Sequence, residues 1–116
     1  MKVGILGAGQ LARMIALAGY PLGLDFIFLD PSADPCASAL GEHLHGDYSD
    51  PDLLQKLAEK ADVVTYEFEN VPADVANYLA DHTNVYPPAK ALAVAQDRWV
   101  EKNFFKELDI PTPQFA

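Results

Sequence analysis

Residues 4–14 read GILGAGQLARM. Within them, Gly7-Ala8-Gly9-Gln10-Leu11-Ala12 fits G-x-G-x-x-G/A, the turn that carries a buried strand into the N-terminus of a helix in doubly wound α/β domains. Gly7 and Gly9 let the backbone bend sharply and approach a ligand, and Ala12 lets the helix pack near the strand. The flanks agree. Val3–Gly7 is an apolar run of the kind buried in a parallel sheet. From Gln10 to Gly19 the period changes: Leu11, Ile15 and Ala18 share one helical face with Met14 beside them, and Gly19 or Gly23 can stop the helix.

Outward from this turn the pattern repeats. Asp25–Asp30 reads as a second strand, and residues 37–40 as a helical turn. Residues 43–47 form a weak third strand. Asp50 or Ser49 caps a helix beginning at Pro51 or Asp52, with Leu53, Leu54, Leu57 and Ala58 inward. Residues 61–67 read as a fourth strand, Pro72–Ala80 as a helix and residues 84–86 as a short fifth strand. Two further helices follow over 89–95 and 97–108. The alternation predicts an α/β fold, a Rossmann-like parallel sheet of about five strands with helices on both faces. In such a sheet the carboxyl ends of strands one and four flank the ligand crevice.

The bulk properties narrow the function. The chain has 116 residues, 50% of them hydrophobic, and a net charge of -9. That charge argues against nucleic acid and against an anionic membrane surface, both of which need a basic face. No signal sequence and no membrane-length apolar run is apparent, so a cytoplasmic location is expected. Cys36, the one cysteine, reads as a reduced thiol. After about residue 108 the chain turns into the Pro-rich, extended Asp109–Ala116, as if a longer protein continued. Residues 1–95 are therefore read as the domain and 96–116 as a linker helix with the start of a second module.

Several side chains compete for a functional role. The glycine turn suits a dinucleotide, another anionic or polar ligand, or a purely structural bend. Gln10 counts against a dinucleotide, because a long amide stands where a small residue usually meets the pyrophosphate. Asp30, 21 residues after Gly9, either binds a ribose or caps a turn. Glu67 and Glu69 end an apolar strand two residues apart, so in extended chain they point the same way, toward the crevice that Gln10 faces. His43 and His45 lack the third ligand a metal site needs, and His82 is expected at a helix C-terminus. Arg98 stands in the first turn of its helix, a placement more natural beside an anion. Phe104, Phe105 and Leu108 suit core or interdomain packing.

GAGQLARM, VTYEFENVP and QDRWVEKNFFKELDIPTPQF occur in that order and spacing. Together they resemble the N-terminal region of the 5-(carboxyamino)imidazole ribonucleotide synthase family, in the ATP-grasp superfamily. Ala12 departs from the family's usual glycine. The resemblance implies an ATP-dependent ligase of purine biosynthesis that carboxylates aminoimidazole ribonucleotide with bicarbonate, through carboxyphosphate, with Mg²⁺ on the ATP phosphates. It implies that Gln10, Leu11, Glu67 and, as second choice, Glu69 bind the ribonucleotide, and that Arg98 reaches ATP. It also implies that the catalytic lysine and the metal-binding carboxylates lie outside these residues, that this portion alone is inactive, and that the whole enzyme is a homodimer. An NAD-binding Rossmann domain and the related formate-dependent glycinamide ribonucleotide transformylase remain the alternatives.

Overall fold

Residues 1–67 and 71–111 are described by a computed structural model. The strands are β1 (Lys2–Leu6), β2 (Asp25–Asp30), β3 (Glu42–His45), β4 (Val63–Tyr66) and β5 (Asn84–Val85). They form one sheet in the order β3-β2-β1-β4-β5, and every pairing is parallel. The helices are α1 (Gln10–Gly19), α2 (Pro51–Lys60), α3 (Ala73–His82), α4 (Ala89–Ala95) and α5 (Arg98–Glu107). This is the predicted α/β architecture. β4 is shorter than the predicted strand, and α3 starts at Ala73 because Pro72 is its cap.

Strand side chains alternate between two cores. Leu6, Ile27, Leu29 and Val64 face one way, onto Leu54 and Leu57 of α2 and Val75 and Leu79 of α3. Ile5, Phe26 and Phe28 face the other way, onto α1 and Ala37. The chain winds β1-α1-β2-β3 outward to one edge, then returns through α2 to the far side of β1. A right-handed crossover in the reversed direction puts α2 and α3 on the opposite face. The order reverses at β1, so the helices that follow the paired strands β1 and β4 lie on opposite faces of the sheet, and a crevice opens at the carboxyl ends of these two strands.

Capping sets the start of α2 as the sequence suggests. The Asp50 carboxylate accepts from the Asp52 and Leu53 amides at 3.0 and 3.4 Å. Pro51 occupies the first turn, where no N–H is required. Lys60, in the last turn, pairs with Glu42 at 2.9 Å across the sheet edge.

The packing of α1 differs from the sequence reading. The face carrying Leu11, Met14, Ile15 and Ala18 is exposed, with Leu11 56% accessible, while Ala12, Ala16 and Gly19 are buried. The reason is volume. Phe26 and Phe28, near-parallel rings 6.3 Å apart, already fill the space above β2. A helix crossing them can approach only through side chains of one carbon or none. α5 differs in another way: none of its residues is fully buried, so Phe104, Phe105 and Leu108 are not core.

This inversion has a direct test in urea unfolding. Ala16→Leu is expected to destabilise the chain by about 1–3 kcal/mol through overpacking. Leu11→Ala should stay within about 0.5 kcal/mol of wild type. The opposite ranking would restore the large-residue face as the buried one.

Candidate functional site

The crevice is built around three consecutive amides. Gly7 N–H donates to Leu29 C=O at 2.8 Å. Ala8 N–H donates to Asp30 Oδ2 at 2.8 Å, and Gly9 N–H to Glu67 Oε2 at 2.7 Å. The turn that opens α1 is thus held by the ends of β2 and β4, on either side of β1. Glycine is required here for two reasons. Gly7 sits at φ 105°, and a Cβ there would lie 2.6 Å from Glu67 Oε2. A Cβ on Gly9 would likewise collide with the Glu67 carboxylate.

Asp30 is a structural group. It is 8% exposed, and its other oxygen accepts from Ser32 N–H at 2.7 Å, so it caps the turn after β2. Burial alone would raise its pKa. The amides of Ser32 and Ala8, with smaller help from the Ser32 side chain and His43, outweigh burial and hold it below the usual aspartate value. Both oxygens accept from backbone amides, and the carboxylate is nearly buried, which fits a turn cap rather than a ribose contact.

Glu67 lies half-buried at the end of β4, its own amide bonded to Leu6 C=O at 3.0 Å. Its carboxylate occupies the positive end of α1, where a phosphate would otherwise sit. A nucleotide pyrophosphate would have to displace it. Gln10 and Leu11, the first helical residues, are both exposed beside this carboxylate. The structure therefore brings Gln10, Leu11 and Glu67 together at one mouth. Glu69 lies outside the described residues.

One neighbour has no counterpart in the sequence reading. Tyr48, just after β3, approaches Asp30 Oδ2 with its hydroxyl at 3.5 Å, the long limit of a hydrogen bond. Burial first, then the charges of Asp30, Glu67 and Asp47, push its pKa up, so the phenol stays protonated. The only signal is positional: Gly46-Asp47-Tyr48-Ser49 follows a strand that ends on the crevice side. Tyr66, beside Glu67, packs against the main core instead, and its hydroxyl has no partner among the described residues.

The histidines have ordinary tasks. His43 Nε2 and His45 Nε2 donate to the carbonyls of Asp30 and Pro31 at 3.2 and 3.1 Å. His82 ends α3, with Nδ1 donating to Tyr78 C=O at 2.7 Å. No group of three or more His, Cys, Asp and Glu converges among the described residues. Cys36 is a free, exposed thiol.

Arg98 is the first residue of α5 and is exposed. Among the described residues its guanidinium pairs with no carboxylate. Asp97 caps the helix, accepting from Trp99 and Val100 N–H at 2.8 and 3.1 Å. The link from this helix to the crevice is indirect: the Gln96 side-chain amide donates to the carbonyl of Val71, four residues beyond Glu67. No described helix is long and apolar enough to cross a membrane.

Against this geometry, residues 1–96 match the ribonucleotide synthetase preATP-grasp domain family. The N5-carboxyaminoimidazole ribonucleotide synthase of Pseudomonas aeruginosa is 55% identical over 116 residues, all of this chain and 32% of that protein. The N5-carboxyaminoimidazole ribonucleotide synthetase of Thermus thermophilus superimposes with a TM-score of 0.90 at 58% identity, over 96% of this chain and 31% of that one. The Aspergillus clavatus N5-carboxyaminoimidazole synthase, solved with ADP and 5-aminoimidazole ribonucleotide, gives 0.87 at 28% identity, over 97% and 31%. The chain spans about a third of the length of these proteins.

Two measurements check the site. Because the folded-state pKa of Asp30 is depressed, its stabilisation is complete above the ordinary aspartate pKa of about 3.9 and is lost as pH falls through the lower folded value. Asp30→Asn should cost about 1.5–3 kcal/mol at neutral pH and flatten the stability loss of wild type below about pH 4. An unchanged acid limb would remove Asp30 from the turn's support. Calorimetric titration with NAD should give no saturable heat at micromolar ligand, and saturation there would restore the dinucleotide reading.

Proposed function

The chain belongs to the ribonucleotide synthetase preATP-grasp domain family, and from that premise we propose that it forms the substrate-side wall of an ATP-dependent carboxylase. The whole enzyme converts aminoimidazole ribonucleotide, ATP and bicarbonate to 5-(carboxyamino)imidazole ribonucleotide in purine biosynthesis. The observation that carries this reading is the Glu67 carboxylate held on Gly9 N–H beside Gln10 and Leu11. A fixed acceptor next to the exposed first helical residues suits a small ligand bearing both N–H donors and a phosphate. It does not suit a pyrophosphate lying along the turn.

The residues divide the work by chemistry. Glu67 accepts from the ribonucleotide's polar hydrogens, with Glu69 as its second. Gln10 supplies a side-chain amide and Leu11 a backbone N–H at the positive end of α1. A ligand so gripped is oriented before reaction, and orientation accounts for much of the rate in such couplings. The exposed Arg98 fits an anionic partner and is assigned to ATP. ATP with Mg²⁺ supplies the phosphoryl group that activates bicarbonate; among the described residues no group of carboxylates converges, and the metal is assigned to the rest of the enzyme. Residues 1–95 then form the substrate-side domain and 96–116 lead into the ATP-grasp module. We place the enzyme in the cytoplasm as a homodimer.

The test uses the full-length protein. It should release ADP with bicarbonate only when aminoimidazole ribonucleotide is present. Folded enzyme without that dependence would overturn the reading. Response to glycinamide ribonucleotide and formate instead would move it to the transformylase. Glu67→Gln keeps an acceptor for Gly9 N–H but loses the charge, so KM for the ribonucleotide should rise about tenfold or more while KM for ATP holds. Unchanged kinetics would remove Glu67 from the site.

A further inference from the structure

Gln96 adds a polar tie between two segments that already share the main core through Val71 and Leu92. Its backbone N–H closes α4 on Leu92 C=O at 3.0 Å. Its side-chain amide donates to the carbonyl of Val71. Val71 is fully buried and stands between Glu67 and Pro72, the cap of α3. The next residue, Asp97, starts α5 with its carboxylate, and Arg98 follows at once. Three adjacent side chains therefore have three directions: one to the β4–α3 connection, one into the cap of α5, one to solvent.

α5 gives this junction its importance. It packs on α4, and none of its residues is fully buried. Its placement against the sheet therefore depends on what roots the α4–α5 junction. The tie from Gln96 to a carbonyl at the rim of the main core is such a root. Removing the amide would strip a donor from the carbonyl of a buried residue, which would then shift toward water. The shift would be felt on both sides, at the cap of α3 next to Val71 and at the cap of α5 next to Gln96.

We propose that Gln96 is a positioning residue that sets the distance between the Glu67 side and the Arg98 side of the site, and so couples ribonucleotide binding to ATP binding. This rests on the reading in which Glu67 meets the ribonucleotide and Arg98 meets ATP. Gln96 touches neither ligand. It acts through Val71 on one side and the cap of α5 on the other.

The experiment compares full-length wild type, Gln96→Leu, Gln96→Glu, Glu67→Gln and the Gln96→Leu/Glu67→Gln double variant. Each Gln96 variant loses the donor and should raise KM for aminoimidazole ribonucleotide by about tenfold, the scale of one lost hydrogen bond, with little change in kcat. In the double variant the increases should not multiply, because in this proposal both residues act on the same ligand contact. A purely structural role would instead leave KM alone in the folded fraction, or give increases that multiply, and either result overturns the proposal. Amide hydrogen exchange of the ligand-free protein supplies a readout free of activity. Exchange should accelerate both over residues 71–76 and over 97–101 in Gln96→Leu. Acceleration confined to residues 97–101 would also overturn it. If wild type lacks ribonucleotide-dependent ADP release, the functional reading falls, and the exchange data still decide whether Gln96 ties the two segments.

Discussion

Two carboxylates on consecutive amides hold the working end of this fold. Asp30 takes Ala8 N–H and Glu67 takes Gly9 N–H. These bonds connect the ends of β2 and β4 to the turn after β1, across the point where the winding reverses. Charged acceptors make stronger bonds than neutral ones, and both lie at the positive end of α1. The turn is thus closed by the protein's own anions. A glycine turn is usually read as an empty cradle for phosphate; here the cradle is already filled at its centre, and only the first helical residues face outward.

That arrangement explains which parts of the structure the sequence disclosed. The order of elements was legible because periods of 2 and 3.6 are local and each boundary carries a cap or a breaker, such as Asp50-Pro51 before α2. The crevice was legible because parallel winding dictates where the reversal falls. Asp30 carries two readings in the sequence, since a ribose acid and a turn cap look alike along the chain. The Ser32 and Ala8 amides, both bonded to its carboxylate, decide for the cap. Tyr48 was invisible because its partner lies 18 residues away, at the end of another strand.

The buried face of α1 shows a different limit. Apolar periodicity finds a face by its large residues, yet here the small ones are inside. Burial of a helix side chain is decided by the volume already occupied beneath it, and that volume belongs to Phe26 and Phe28 on β2. α5 shows the complement: an apolar pattern with no core to enter within the described residues, held through its junction with α4.

The small-residue seam of α1 has a thermodynamic consequence. Ala12, Ala16 and Gly19 have no side-chain rotamers to lose or to exchange. A helix seated on them has a height above the sheet that no side-chain rearrangement can alter. The backbone of Gln10 and Leu11 is therefore presented at a constant elevation, and the entropy of placing it was spent when the chain folded. A ligand arriving at that mouth meets a backbone that needs no further ordering, so more of its contact energy is left to hold it.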